Sequence, residues 1–396
     1  MMRVNVRKIL FVVATCSLLP GVIAAQPELL GVLHTDTTET EFGFRIIPIG
    51  DQNDDGCDDI LVYEKTRTHL FYGGDPFDSA PAMIFENSGA RIDSIGDVNG
   101  DGYVDFVLPG RENFGWHLNL FLGGPSVDTV RDAWFGLDTL NAHGYIIRGD
   151  DINLNGSDEI IAWEIVEQES LLLFELGVDS DSIPDLVIPC PNNSQQHYSF
   201  GEGLAGGDFN GDGARDFVTN WRAAFMAGMR GTLYMFWGGT GFDTLPDLVI
   251  PRPGPFFEGA ERFGGILESL GDVNGDGEDD FYASSAGASY DTLGFVYFGG
   301  PDIDTLPDVV IARNHLKDRA AGDINHDGYN DLILSLGFWS SAIGWVEIYL
   351  GGLEMDSIAD VRFDVRDEPS FHDYYGLDCS GVGDFNGDGL RILLRS

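Results

Sequence analysis

A nine-residue acidic motif recurs seven times along the chain and constrains its fold more than any other feature. The clearest copy, residues 272–280, reads DVNGDGEDD, with Asp or Asn at positions 1, 3 and 5, glycine at position 6 and Asp at position 9. Calcium takes six to eight oxygen ligands, and alternate residues of a tight loop point their side chains inward together. Glycine at position 6 permits the left-handed backbone of such a loop. The motif therefore predicts a calcium-binding loop.

The copies of the motif lie at the spacing of repeated structural units. Their first residues are 46 to 64 residues apart, a period typical of propeller blades and comparable supersecondary repeats. The chain has 396 residues, more than a single hydrophobic core usually serves. We number the loops first to seventh in chain order, and they span residues 51–59, 97–105, 151–159, 208–216, 272–280, 323–331 and 384–392.

Apolar segments flank the loops and have the length and composition of β-strands. Residues 44–50 alternate before the first loop, and residues 60–63 form a continuous apolar run after it. A third segment ends in a glycine-rich turn such as Gly73-Gly74, and a fourth follows a short acidic turn such as residues 243–247. Four short antiparallel strands per repeat, without helical periodicity, predict propeller blades.

The fold class predicted from these repeats is all-β, a seven-bladed β-propeller over residues 26–396. The seventh repeat has only a short apolar segment after its loop, so its blade is expected to be incomplete. Residues 29–34 stand where the fourth strand of a blade stands elsewhere. We expect this segment to lend the last blade an outer strand and so to close the ring.

An aromatic–glycine pair precedes several loops by eight or nine residues, as in Phe42-Gly43, Phe200-Gly201, Phe263-Gly264 and Tyr375-Gly376. The pair and loop together, repeated over nearly all of the chain after residue 25, resemble the FG-GAP repeats of integrin alpha-subunit propellers and of many bacterial exported proteins. The resemblance implies a propeller in which positions 1, 3, 5 and 9 of each loop, with a backbone carbonyl at position 7, bind calcium.

Five loops match the ligand pattern that this resemblance implies. Their implied ligands are Asp51, Asn53, Asp55 and Asp59; Asp97, Asn99, Asp101 and Asp105; Asp208, Asn210, Asp212 and Asp216; Asp272, Asn274, Asp276 and Asp280; and Asp323, Asn325, Asp327 and Asp331. The third loop departs from the pattern and has Asp151, Asn153, Asn155 and Glu159, so weaker binding is expected there. The seventh loop has Asp384, Asn386 and Asp388, but Ile392 replaces the closing carboxylate.

The charge of the chain excludes several classes of partner. Acidic residues outnumber basic ones by 65 to 22, which gives a formal net charge of −43. Nucleic acids and anionic membranes would be repelled, whereas divalent cations are natural counterions. Residues 1–25 have the basic start, apolar body and small-residue end of a secretory signal. We therefore expect a secreted or cell-surface protein with no membrane span after the signal.

No familiar catalytic constellation is present in the sequence. It contains no His-Glu-x-x-His, Gly-x-Ser-x-Gly or Cys-x-x-Cys motif, and most carboxylate pairs fall in the loops. We expect calcium to be structural and the chain to be a protein- or glycan-binding adhesion module rather than an enzyme. Two alternatives stay open, because a fold does not fix a function. One is an extracellular enzyme or accessory domain of polysaccharide lyase or hydrolase type, and the other is a scaffold part of a larger surface protein.

Candidate partner-binding residues lie in the connections at the end of the propeller opposite the loops. Aromatic and arginine side chains are enriched at interaction surfaces. The candidates are Trp221, Arg222, Phe225, Arg230, Phe256, Tyr290 and Trp339. The alternative is that they pack over neighbouring blades, because large exposed apolar patches are uncommon. The tripeptide Arg148-Gly149-Asp150 matches an integrin-binding sequence, but its position predicts a strand end leading into the third loop rather than a displayed signal.

Overall fold

The structure, a computed structural model, is all-β within the residues it describes. These are residues 8–15, 26–34, 42–76, 78–89, 92–112, 115–137, 146–156, 158–165, 169–175, 183–191, 199–222, 231–254, 262–286, 291–314, 318–336, 345–364, 379–381, 383–387 and 393–395. Every regular element in these ranges is a β-strand. A search of the same ranges finds no helix with the length and apolar character needed to cross a membrane.

The strands are short and follow one another closely along the chain. In chain order they are β1 (Lys8–Thr15), β2 (Gln26–His34), β3 (Phe42–Gly50), β4 (Asp59–Glu64), β5 (Arg67–Phe71), β6 (Met83–Glu86), β7 (Asp93–Gly96), β8 (Asp105–Glu112), β9 (Gly115–Phe121), β10 (Ala133–Leu137), β11 (Ile146–Asp150), β12 (Glu159–Ile165), β13 (Glu169–Glu175), β14 (Leu186–Pro189), β15 (Ser199–Gly207), β16 (Asp216–Arg222), β17 (Thr232–Phe236), β18 (Leu248–Pro251), β19 (Arg262–Gly271), β20 (Asp280–Ala286), β21 (Asp291–Tyr297), β22 (Val309–Asn314), β23 (Asp318–Gly322), β24 (Asp331–Leu336), β25 (Trp345–Tyr349), β26 (Val361–Asp364), β27 (Cys379–Gly381) and β28 (Leu393–Arg395).

Six four-stranded antiparallel sheets are each built from four consecutive strands, and we call them the first to sixth blades. They comprise β3–β6, β7–β10, β11–β14, β15–β18, β19–β22 and β23–β26. A further four-stranded sheet has the order β2-β1-β28-β27 and therefore combines strands from both ends of the chain. We call it the joined sheet.

The blades are arranged as in a propeller. The first strand of each blade contacts the first strand of the next, from β3 through β7, β11, β15, β19 and β23. Strand β27 of the joined sheet contacts both β23 and β3. The predicted all-β propeller architecture is confirmed, but the blade count differs from the prediction, because six blades rather than seven form from consecutive strands.

The joined sheet explains part of this difference. Strand β2 (Gln26–His34) lies at its outer edge, as expected for residues 29–34. Strand β1 (Lys8–Thr15) lies between β2 and β28. The sequence patterns did not predict a strand at this position of the last blade. The secretory signal over residues 1–25 stays a prediction, and cleavage of that segment would remove β1 from this sheet.

The hydrophobic core lies between neighbouring blades rather than at a single centre. Phe209 and Leu233 of the fourth repeat are fully buried against Phe263, Phe281 and Phe295 of the fifth. The second strand of a blade is covered on both faces, as the uninterrupted burial of β4 shows, whereas the outer strand β18 alternates between buried and exposed residues. Burial on both faces explains the continuous apolar run of residues 60–63 in β4.

Candidate metal loops

Each acidic loop connects the first strand of a blade to the second. In the fifth blade, β19 ends at Gly271 and β20 begins at Asp280, the closing residue of the loop. The turn between the third and fourth strands lies at the same end of the blade, because Gly299 of that turn donates its N–H to the Asp280 carboxylate. Loops and glycine-rich turns therefore share one end of the propeller, which we call the loop end.

Within the fifth loop, the side chains at positions 1, 3 and 5 fold back over the loop backbone. Asp272 Oδ2 accepts the N–H of Gly277 at 2.9 Å, and Gly277 has the left-handed φ of 96° expected at position 6. Asn274 Oδ1 accepts the N–H of Asp276 at 2.8 Å, and Asn274 Nδ2 donates to Asp276 Oδ2 at 3.0 Å. Three oxygen-bearing side chains therefore converge in one turn of chain.

The same pattern recurs in the other described loops. The position 1 carboxylate accepts the N–H of the position 6 glycine at 2.7 to 3.0 Å in each of the first six loops, the fifth included. The donating glycines are Gly56, Gly102, Gly156, Gly213, Gly277 and Gly328. The repetition shows that the motif specifies one local conformation, as the sequence predicts.

The closing carboxylate has a different role, which sequence reasoning missed. Asp280 is fully buried; its Oδ2 accepts the N–H of Val273 at 2.8 Å and its Oδ1 accepts the N–H of Gly299 at 2.8 Å. It therefore joins the loop to the turn that follows the third strand. The same two bonds, at 2.6 to 2.9 Å, are made by Asp59, Asp105, Asp216 and Asp331. The signal in the sequence was the pairing of every such Asp with a glycine-rich turn about 20 residues later.

Burial makes these closing carboxylates hard to ionise. Desolvation raises the pKa of Asp280 to about 7, although the N–H bonds from Gly299 and Val273 oppose the shift. The nearby Asp276 and Asp272 carboxylates raise this pKa further. Desolvation likewise raises the pKa to about 7 in Asp59, Glu159 and Asp216 and to about 6 in Asp105 and Asp331. A cation near the loop would offset this repulsion and favour the ionised form.

The donor chemistry of the loops fits calcium, but the grouping of carboxylates is looser than the resemblance implies. All side-chain donors at positions 1, 3, 5 and 9 are oxygens, which calcium prefers. Yet within the described ranges no three His, Cys, Asp or Glu side chains are grouped closely enough to hold a metal. The closing carboxylate directs both oxygens at backbone N–H groups, and position 3 is Asn. The side chains at positions 1, 3 and 5 would hold the ion directly, and calcium binding stays a prediction.

The amide side chains of the third loop contact different carboxylates from those of the other loops. Glu159 Oε2 accepts the N–H of Ile152 at 2.8 Å, and its Oε1 accepts from Nδ2 of Asn153 at 2.7 Å. Asn155 Nδ2 donates to Glu175 at 2.8 Å. Two amides therefore contact carboxylates in this loop, which gives a structural reason for the weaker calcium binding expected from its sequence.

The seventh loop contacts the first blade. Asp58 and Gly74 donate their N–H groups to the carbonyl oxygens of Asp384 and Phe385 at 2.9 and 2.8 Å. Phe385 is buried in one cluster with Leu33 and Phe42. The fifth blade makes the same two backbone bonds to the fourth loop, and the sixth blade makes them to the fifth loop. Asp384 and Asn386 are described, whereas Asp388 and Ile392 lie outside the described residues.

Most of the predicted partner-binding residues cannot be compared with the structure. Trp221 is only 7% exposed and lies in a core cluster with Phe200 and Trp163, as the packing alternative expects, and its role in partner binding stays a prediction. Arg222 ends β16. Phe225, Arg230, Phe256, Tyr290 and Trp339 lie outside the described residues. Residues 148–150 form the end of β11, which confirms the expected strand position of this tripeptide.

Exposed apolar side chains occur instead in the acidic turns at the loop end, a feature that sequence reasoning did not single out as a site. These turns, read as Asp-Ser/Thr-apolar-x-Asp, join the third and fourth strands of the second to sixth blades. Their apolar residues are 68 to 70% exposed, namely Val130, Ile183, Leu245, Leu306 and Ile358. Within the described residues, exposed apolar side chains therefore lie at the loop end as well as on outer strands, as at Trp134, Val187 and Val249, and partner binding at the opposite end stays a prediction.

Hydrogen bonds hold these turns in a fixed conformation. In the fourth blade, Asp243 Oδ1 accepts the N–H of Leu245 at 2.7 Å, and Asp247 Oδ2 accepts the N–H of Trp237 at 2.8 Å. The bond within the turn, equivalent to Asp243–Leu245, recurs in blades two, five and six. The bond equivalent to Asp247–Trp237 is present in every blade from two to six. The exposed apolar residue is therefore presented on an ordered backbone.

Comparison with protein-family models finds no match, and comparison with curated proteins finds no significant match. The propeller architecture thus rests on the strand arrangement. The resemblance to FG-GAP repeats rests on the motifs in the sequence.

Proposed function

We propose that this chain is an exported FG-GAP-type propeller, completed to seven blades by the joined sheet, that binds extracellular protein or glycan. In this proposal calcium occupies the acidic loops and has a structural role. The chain has no catalytic role of its own. The propeller architecture is compatible with such a module, which would present its ligand-binding surface on turns supported by rigid blades.

The chemistry of the loops supports the calcium part of the proposal. Asp272, Asn274 and Asp276 bring oxygen donors together over one loop, and Asp280 lies buried beneath it with a raised pKa. When bound, calcium would supply the positive charge that lowers the repulsion among these carboxylates. The net charge of −43 makes such neutralisation valuable to the folded chain.

The single observation that favours a binding role is the row of exposed apolar side chains on the acidic turns. Five blades in succession hold an aliphatic side chain at about the same high exposure, although its identity varies among Val, Ile and Leu. Hydrogen bonds already fix these turns, so a partner would lose little conformational entropy on contacting them. An exposed apolar surface on ordered turns favours association with a partner molecule.

The experiment is a binding screen with the purified full-length chain in calcium. Arrays of extracellular proteins and glycans are probed, and each signal is measured again by titration in solution. We expect saturable binding to at least one protein or glycan and no turnover of it. Release of cleaved product from a polysaccharide, without stable binding, would instead favour the enzyme alternative and overturn the proposal.

A further inference from the structure

A cavity lies beside the acidic turn of the sixth blade. The cavity has a volume of about 570 Å³ and lies between Tyr329 of the sixth loop and residues 350–360. Leu353, Met355 and Ile358 contribute apolar side chains to its lining. Leu353 is 82% exposed and Ile358 is 69% exposed. The volume falls within the range of about 300 to 1,000 Å³ typical of ligand sites.

The local sequence of the sixth blade places apolar side chains in the lining of this cavity. Leu353 follows the glycine pair of the sixth blade, where the fourth and fifth blades have Thr240 and Pro301. Tyr329, at position 7 of the sixth loop, lines the cavity opposite Leu353. The fifth loop has Glu278 at this position. The sixth turn thus combines two exposed aliphatic side chains with an aromatic one, whereas the fifth presents Leu306 as the one strongly exposed apolar residue of its turn.

The rim of the cavity is acidic. Glu354, Asp356 and Asp360 line it together with the apolar residues, and none of the lining residues is basic. Asp356 Oδ1 accepts the N–H of Ile358 at 2.6 Å, and Asp360 Oδ2 accepts the N–H of Leu350 at 2.9 Å. These bonds fix the positions of two carboxylates next to the apolar floor. Charge complementarity therefore favours an occupant with positive groups beside an apolar one.

We infer that the sixth-blade cavity binds a basic peptide segment of a protein partner, in which an apolar side chain is flanked by Lys or Arg. The apolar side chain fills the space between Tyr329, Leu353 and Ile358. The flanking cations lie against the carboxylates of the rim. This inference rests on the proposed binding function and specifies the class of ligand at one site.

The test uses a fluorescently labelled peptide of alternating lysine and leucine, titrated with the full-length chain in calcium and followed by fluorescence anisotropy. Replacing Leu353→Ser and Ile358→Ser together should weaken binding by about tenfold or more, since these two side chains form the apolar surface of the site. The matched control is Leu306→Ser, which removes an equally exposed side chain from the same turn of the fifth blade. It should change binding less than about twofold, because central contacts dominate binding.

A second set of measurements separates specific binding from general attraction to an acidic surface. A peptide of alternating lysine and glycine should bind at least about tenfold more weakly than the leucine peptide. The variant Glu354→Gln with Asp356→Asn retains an acceptor at position 356 and should reduce both the affinity and its dependence on salt. Unchanged melting temperatures show that the variants fold.

Two outcomes would overturn the inference. One is equal binding of the lysine–leucine and lysine–glycine peptides, and the other is unchanged binding by the Leu353→Ser, Ile358→Ser variant. Failure of this peptide to bind, when the array screen has identified another protein or a glycan ligand, refutes the inference and leaves the proposed function standing. Failure of both experiments refutes the proposed function as well.

Discussion

The third and fifth loops have the same backbone conformation but satisfy their polar groups in different ways. In the fifth loop, Asn274 donates its amide to Asp276, and both oxygens of Asp280 accept backbone N–H groups. In the third loop, the amide of Asn153 instead donates to the closing residue, Glu159. The longer Glu side chain reaches this amide while still accepting a backbone N–H.

The two loops show that one backbone conformation accommodates two patterns of amide hydrogen bonds. The third loop carries two carboxylates at positions 1, 3, 5 and 9, and the fifth carries three. Each amide that replaces a carboxylate removes a repelling charge and adds a hydrogen-bond donor. We therefore expect the fifth loop to depend on calcium and the third to fold without it.

The largest effect should come from removing the group that both loops share, the closing carboxylate. Asp280→Ala leaves the buried N–H groups of Val273 and Gly299 without their acceptor. At about 1 to 3 kcal/mol for each of the two unsatisfied groups, the loss of stability should be about 2 to 6 kcal/mol. The measurement is the midpoint of denaturant unfolding in a chelator, and the matched control is the exposed Asp276→Ala. A change no larger than that of the control would show that Asp280 does not fasten the loop to the turn.

A smaller effect should follow from exchanging the chemistry of the two loops. Asp276→Asn with Asp280→Glu gives the fifth loop the residues of the third, and Asn155→Asp with Glu159→Asp does the reverse. The first variant should bind one calcium fewer than the parent chain, and the second should bind one more. At a free calcium concentration of about one hundred times the Kd, each site adds about 2.7 kcal/mol to stability. Equal calcium content in all three proteins, measured by elemental analysis after dialysis, would contradict the comparison.

The smallest effect concerns the amide at position 3. Asn153→Ala should cost about 1 to 2 kcal/mol, because the bond to Glu159 and the bond from the N–H of Asn155 are both lost, and the cost should be the same with and without calcium. The corresponding Asn274→Ala removes an implied calcium ligand, so its effect should be greater in calcium than in chelator. Thermal melting of both variants under the two conditions measures this difference, and identical responses would argue against two kinds of loop.

Much of the fold follows from local patterns in the sequence. The loop motif fixes its own backbone through bonds between nearby residues, such as Asp272 to Gly277, so its conformation could be predicted from one repeat. Residues 60–63 of the second strand β4 form a continuous apolar run because both faces of this strand are buried. The outer position of β2 followed from its place before the first aromatic–glycine pair.

Features that depend on distant contacts could not be predicted in the same way. The bonds of Asp280 to Val273 and Gly299 make it an internal fastener, although its position in the motif predicts a metal ligand. Tryptophan is a residue type that is common at interaction surfaces, but the pairing of β15 with β16 places Trp221 in the core. The placement of β1 within the joined sheet depends on strands more than 370 residues apart in sequence.

The most direct measurement of the central claim, that calcium fastens the acidic loops, is thermal melting of the full chain with calcium and with a chelator. Ligand that binds only the folded state must raise its stability. We expect a melting temperature that rises with calcium concentration and falls on chelation, with a smaller response when Asp276→Asn and Asp280→Glu are introduced. A melting temperature that is the same in calcium and in chelator would contradict it.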